Sequence, residues 1–156
     1  GALENTLLML GAYVGFGNRV TTRAVDACVR KPSEAKVFDI MNDLWAGNKR
    51  EGMRALTELI NDPSESAFGL ATMFSRNVRT VINVKQLLLR GKSEAQIAQI
   101  LGMKQYPVQK SAASAKKRSY VKLVEMMDAF IAVEWNQKQG LGKAADSLIL
   151  ACQKYF

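Results

Sequence analysis

The chain of 156 residues is long enough for one well-packed hydrophobic core but too short for a large multidomain enzyme. Hydrophobic residues make up 48% and charged residues 23%, a composition that indicates a folded globular protein and excludes a disordered one. The 22 lysines and arginines outnumber the 14 acidic residues, and the net charge of +8 favours a polyanion such as nucleic acid, or an acidic protein, as partner.

Helical patterns follow one another from the start of the chain, and no segment has the alternation of a strand. The leucines between Leu3 and Leu10 predict a first helix that ends near Gly11 to Gly17. Thr21 or Thr22 can cap a short second helix that runs to Val29.

The next two helices are bounded by capping and turn residues. Ser33 is placed to cap a helix that ends at Gly47. Asn48 and Glu51 predict a capping box for the following helix, and residues 61–63 break that helix. The apolar residues of 64–90 then keep a helical period over several turns, which predicts one long central helix.

Two short helices hinged at Gly102 form the most informative segment of the chain. Ser93 and Gln96 have the spacing of a capping box at the start of the first, whose apolar stripe includes Ile97 and Ile100. Pro107 suits the first turn of the second, because proline lacks the N–H that such a position leaves unpaired. Pairs of this kind read DNA in some proteins and build subunit contacts in others, so both uses stay open.

Two helices complete the chain. The first restarts at Ser119, runs through Lys138, and is predicted to turn a set of apolar side chains inward: Val121, Val124, Met127, Phe130, Ile131 and Trp135. The last begins near Lys143 and ends in Tyr155 and Phe156. The short links between all these segments predict a compact all-α bundle of about seven to nine helices.

Histidine is absent from the sequence, and its absence removes several classes of active site. Ser/His/Asp and Cys/His nucleophile systems need imidazole, and so do the commonest metal sites. The two cysteines, Cys28 and Cys152, lie far apart and outside CxxC spacing. We therefore expect no catalytic centre, metal or cofactor, and reduced thiols in a cytoplasmic protein. We also expect no membrane span and no secretory leader, and the missing initiator methionine suggests a fragment.

The basic residues support a possible nucleic-acid contact. They concentrate on the second helix of the hinged pair and along the central helix: Arg76, Arg79, Lys104, Lys110, Lys116, Lys117 and Arg118. In a helix-turn-helix protein the segment from Val108 to Arg118 would enter the major groove, but it offers only Gln109 and Ser111 as plausible base readers. Weak, sequence-independent binding to DNA is the alternative.

The run VFDIMNDLWAGNKREGMRAL at 37–56 resembles the opening of the C-terminal domain of the delta subunit of the bacterial DNA polymerase III clamp loader. The matching residues are Phe38, Asp43, Gly47, Ala55 and Leu56. The run FSRNVRTVINVKQLLLRGKSEAQIAQILGM at 74–103 is similar to the basic long helix and Ser-led short helix of that family. The matches there are Arg76, Arg79, Lys85, Gly91, Ser93, Ile97, Ala98, Leu101 and Gly102. The segment NTLLMLGAYVG resembles the end of the family's lid domain.

This resemblance implies a part of a larger machine. Residues 1–33 would be the C-terminal part of a helical lid domain, and 34–156 a collar domain that assembles with gamma/tau-type and delta-prime-type subunits. The sliding clamp would be contacted by an N-terminal domain that these residues lack. Large side chains near exposed ends predict the subunit contacts, namely Trp135, Lys138, Tyr155 and Phe156. Completion of the local core by Trp135 and Phe156 is the alternative.

Overall fold

The computed structural model describes residues 33–156, which form seven α-helices and no strand. In chain order these are α1 (Ser33–Ala46), α2 (Lys49–Ile60), α3 (Ala67–Leu89), α4 (Glu94–Leu101), α5 (Gln105–Lys116), α6 (Tyr120–Lys138) and α7 (Ala144–Tyr155). The chain divides into two compact units, Gly1–Lys36 and Val37–Phe156. The predicted all-α fold is therefore confirmed.

Several expectations fall on the start of the chain. The helices predicted at Leu3 to Leu10 and at Thr21 to Val29 lie outside the described residues. The lid segment of 1–33 and its boundary with the collar stay predictions for the same reason.

Helix α3 is the central element of the second unit, because it packs against α4, α5, α6 and α7. It begins at Ala67, three residues after the start of the predicted segment 64–90, and Ser66 caps it. The Gly69 N–H donates to Oγ of Ser66 at 3.2 Å, whereas the Ser64 hydroxyl bonds Oδ1 of Asp62 at 2.6 Å. One side of α3 is buried along its length, through Leu70, Ala71, Phe74, Val78, Val81 and Val84.

Two hydrophobic clusters stabilise these helices. The main one joins side chains of α1, α2, α3, α5, α6 and α7, and within it the ring centres of Phe74 and Phe130 lie 5.6 Å apart. The smaller one lies under the hinged pair and consists of Val84, Ile97, Val108 and Ala112. Burial of each large apolar side chain contributes roughly 1.5–3 kcal/mol, and α1, α3 and α6 supply most of the buried side chains.

The link between α1 and α2 is a tight turn at Gly47, whose φ of +96° is one that side chains rarely adopt. The capping box predicted at Asn48 and Glu51 is wrong. The Asn48 N–H already donates to the carbonyl of Asp43 at 2.9 Å, and the Glu51 carboxylate accepts from Arg54 at 2.9 Å. The Asn48 N–H and the Glu51 carboxylate, which would bond each other in a capping box, therefore each have another partner.

The hinged pair forms as its sequence predicts. The Gln96 N–H donates to Oγ of Ser93 at 3.2 Å, and the Ser93 N–H donates to Oε1 of Gln96 at 2.9 Å, so the capping box is confirmed. Gly102 ends α4 with a φ of +63°. Helix α5 starts at Gln105 and keeps Pro107 in its first turn. Ile100, predicted to lie in the apolar stripe, is exposed.

Candidate protein-interaction surface

Helix α6 leaves three large apolar side chains in solvent. Val121 is 66% exposed, Ile131 43% and Trp135 61%. The prediction that they turn inward is wrong, because the buried side of α6 is formed by Leu123, Met126, Met127, Phe130 and Val133. Helix α6 carries apolar residues on both sides, so its helical period does not decide which side meets the core.

Three contacts fix how α6 lies against α3. The Lys138 ammonium sits 5.4 Å from the centre of the Phe68 ring. The Ser75 hydroxyl donates to Oε1 of Glu134 at 2.7 Å, and the side-chain amide of Gln86 donates to the Tyr120 hydroxyl at 2.8 Å. Residue numbers increase along α3 through these three contacts while their partners' numbers decrease along α6, so the two helices are antiparallel.

Arg118 contacts both the C-terminal residues and Trp45 of α1. Its guanidinium carbon lies 5.1 Å from the ring centre of Trp45 and 5.2 Å from that of Phe156. The two rings are 5.0 Å apart, edge to face. Arg118 also donates to the backbone carbonyl of Tyr155, and burial lowers the pKa of its guanidinium. The half-buried cation is thus held against Trp45 and Phe156 by cation–π contacts and a hydrogen bond.

The four side chains predicted as subunit contacts therefore lie in two places. Trp135 and Lys138 are at the solvent-facing end of the α3–α6 seam. Tyr155 and Phe156 are half-buried, and Phe156 packs on Trp45 in the main cluster. The structure does not join the two pairs into one patch, so their roles as contacts stay predictions.

The basic residues predicted to contact nucleic acid also fall on separate sides. The Lys85 ammonium donates to the carbonyl of Ala115 at 3.0 Å, which marks the side of α3 that meets α5. Arg76 lies two and a half turns from Lys85 at about 3.6 residues per turn, so it faces away from α5. Arg79 is exposed on the same outer side.

The other predicted nucleic-acid contacts lie on or next to α5. Lys104, Lys110, Lys116 and Lys117 are all exposed. Lys116 pairs with Glu94 at 3.4 Å, and the Lys110 ammonium lies 5.6 Å from the centre of the Tyr106 ring. Of the two proposed base readers, Ser111 is buried and Gln109 is exposed.

Two features are absent from the part of the chain that the structure describes. No three histidine, cysteine or acidic side chains in it are grouped so that they could hold a metal ion. None of its helices is both long and apolar enough to cross a membrane.

The model of one protein family matches residues 34–152, that of the DNA polymerase III delta subunit, C-terminal domain. This chain belongs to that family. The match runs from α1 into the last turn of α7, so it covers nearly all of the described part of this delta C-terminal domain.

A solved structure gives the same fold. The DNA clamp loader delta protein of Bacillus subtilis superposes with a TM-score of 0.72 at 18% sequence identity. The match covers 97% of this chain and 44% of the Bacillus chain, so the sequence spans less than half of that relative. A comparison with curated proteins gives no match.

In this delta C-terminal domain the outer side of α6 is the feature that sequence reasoning placed wrongly. Val121, Asp128 and Trp135 repeat at an interval of seven residues, as two helices packed side by side require. That repeat was available in the sequence, but the inner residues of α6 are equally apolar and conceal it. The exposed stripe becomes visible only when the packing against α3 is known.

Proposed function

We propose that the chain is the C-terminal part of a DNA polymerase III delta subunit and serves as a scaffold. It would assemble with gamma/tau-type and delta-prime-type clamp-loader subunits, and the complex would load the sliding clamp onto DNA. The family match over residues 34–152 is the observation that carries this proposal. Contact with the clamp would be made by an N-terminal domain outside these 156 residues.

The packing of the helices suits a rigid scaffold. Helix α3 contacts four other helices, and polar bonds fix its position relative to α1 and α5. The indole N–H of Trp45 donates to Oδ1 of Asn77 at 3.0 Å, and Lys85 holds the carbonyl end of α5. A body tied together in this way can hold its neighbours at fixed positions while nucleotide-driven motion occurs elsewhere in the complex.

The exposed side chains suit a subunit contact better than catalysis. Trp135 is a large aromatic side chain in solvent, and tryptophan and arginine are the residues that most often dominate binding between proteins. The delta part would therefore contribute binding surfaces and no reacting group.

Reconstitution tests the scaffold directly. The chain is mixed with purified gamma/tau-type and delta-prime-type subunits of the same organism, and complexes are separated by size and weighed by light scattering. We expect a complex of defined stoichiometry that contains the chain. Failure of the chain to enter any complex would contradict the proposal.

Binding to DNA separates the scaffold from the helix-turn-helix alternative at Val108 to Arg118. A scaffold with a positive exterior predicts weak binding that is equal for unrelated duplexes and is lost at moderate salt. A sequence-specific regulator predicts one duplex that binds on the order of a thousandfold more tightly than the others. Titration of several duplexes at two salt concentrations distinguishes these outcomes.

A further inference from the structure

We infer that the outer side of α6, together with the neighbouring arginines of α3, is the docking surface for one amphipathic helix of a sister clamp-loader subunit. The partner helix carries acidic side chains along the edge that faces α3 and one basic side chain near its middle. This inference rests on the proposed function, because the partner is taken to be another loader subunit.

The first argument is the spacing of the outer residues of α6. Val121, Val124, Asp128, Ile131 and Trp135 follow one another at intervals of three or four, so they form one straight stripe along the helix. Val124 is half-buried, and the other four are exposed. The stripe extends for roughly 21 Å at 1.5 Å per residue, which matches a partner helix of about four turns.

The apolar character of this stripe favours a protein partner over nucleic acid. A single exposed aliphatic side chain, such as Leu150 on α7, is ordinary on a protein surface. Aliphatic residues aligned with an exposed tryptophan over four turns are not, and such patches mark interaction sites. Valine and isoleucine offer nothing that a phosphate backbone would recognise, whereas the side of another helix fits them.

The second argument is the charge beside the stripe. The Ser75–Glu134 contact fixes which turns of α3 and α6 are opposite. Arg79 lies one turn further along α3 and Ile131 one turn back along α6, so these residues belong to the next pair of opposite turns. Arg90 lies one turn beyond Gln86, which bonds Tyr120 at the other end of the seam.

Arg79 and Arg90 are exposed. Neither has an acidic partner among residues 34–156. Two unpaired cations, Arg79 beside the apolar stripe and Arg90 just beyond its Val121 end, complement carboxylates on the matching edge of a partner.

The third argument is the place of Asp128 in the middle of the stripe. It lies seven residues from both Val121 and Trp135, and it has no basic partner within the described part of the chain. A docked helix would remove its carboxylate from water, which is strongly unfavourable unless the partner supplies a cation there. One polar position in an apolar helix seam also fixes the register of the two helices.

Binding of the purified gamma/tau-type and delta-prime-type subunits to the chain tests the surface. Val121→Asp should weaken the complex at least about tenfold, because it places a charge in the apolar stripe. Leu150→Asp is the matched control, since Leu150 is 65% exposed and Val121 66%, and it should change the dissociation constant less than about twofold. Circular dichroism checks that both variants fold.

The outcomes separate this inference from the proposed function. If the unmodified chain binds no loader subunit, the proposed function itself fails. If it binds and Val121→Asp binds equally well, the α6 surface is wrong while the function stands. Equal losses for Val121→Asp and Leu150→Asp would also overturn the assignment to α6.

A second set of variants tests the charges. Arg79→Glu and Asp128→Lys should each weaken subunit binding by about fivefold or more, and the loss from Arg79→Glu should shrink as salt is raised. Lys92→Glu, on the exposed turn after α3, is the control and should have little effect.

Two results would overturn the choice of partner. Arg79→Glu could weaken binding to duplex DNA and leave subunit binding unchanged, in which case the surface serves nucleic acid. The chain alone could form a dimer that Val121→Asp dissociates, in which case the occupant is a second copy of this chain.

Discussion

Oγ of Ser75 lies 2.7 Å from Oε1 of Glu134 and joins α3 to α6 across 59 positions of sequence. Ser75 is buried and Glu134 half-buried. The Ser75 hydroxyl also lies 3.1 Å from the carbonyl of Ala71 in its own helix. This polar contact sits beside the apolar seam of the two helices and fixes which turns of them are opposite.

Ser75→Ala should lower the free energy of unfolding by about 1 kcal/mol, because the Glu134 carboxylate loses its donor. Ser114→Ala is the matched control. Ser114 is also buried and bonds a carbonyl one turn earlier, that of Lys110 at 3.1 Å, but has no partner on another helix. Urea unfolding should show a smaller loss for the control, and equal losses would mean that the contact across the helices contributes nothing.

Caps provide a second prediction. Ser93→Ala should lower the free energy of unfolding by about 1 kcal/mol, since it removes one half of a complete capping box. Asn48→Ala should change it by less than about 0.5 kcal/mol, because the Asn48 side chain caps nothing. Thermal or urea unfolding of the two variants measures the difference. A larger loss for Asn48→Ala would contradict this assignment of the caps.

The same two positions show what the sequence could and could not predict. The capping box at Ser93 depends only on residues three positions apart in the chain, so the sequence pattern was enough to predict it. The Asn48 pattern is equally good, but the turn at Gly47 gives the Asn48 N–H to Asp43. Helix positions were predictable because capping and breaking residues act locally. The exposed side of α6 was not, because both of its sides are apolar and only the packing on α3 selects one.

Two glycines within helices should respond to alanine in opposite ways. A Cβ added at Gly52 would lie 2.7 Å from Cδ2 of Leu44, which is buried between α1 and α2. A Cβ at Gly69 would meet nothing closer than 3.6 Å. Gly52→Ala should therefore cost about 1–3 kcal/mol through overpacking, whereas Gly69→Ala should stabilise by about 0.5–1 kcal/mol through helix propensity. Chemical unfolding of both variants checks the signs, and a stable Gly52→Ala protein would show that α1 and α2 separate easily.

The buried thiol of Cys152 should make stability depend on pH. Burial in the main cluster raises the pKa of Cys152 above its ordinary value, because an apolar environment disfavours the thiolate. Below the pKa of the unfolded thiol, about 8.5, both states are protonated and the contribution is complete. As the pH rises above that value the unfolded state loses its proton first, so the free energy of unfolding falls by up to about 1.4 kcal/mol per pH unit.

The measurement compares two variants that differ only at Cys152, so that other effects of pH on stability cancel. Urea unfolding between pH 7 and 10 is followed for Cys28→Ser and for Cys28→Ser/Cys152→Ala. The stability of the first variant relative to the second should decline above about pH 8.5, because only the first retains the buried thiol. A difference that stays constant up to pH 10 would mean that the thiolate forms in the folded state without penalty, and that α7 does not seal Cys152 from water.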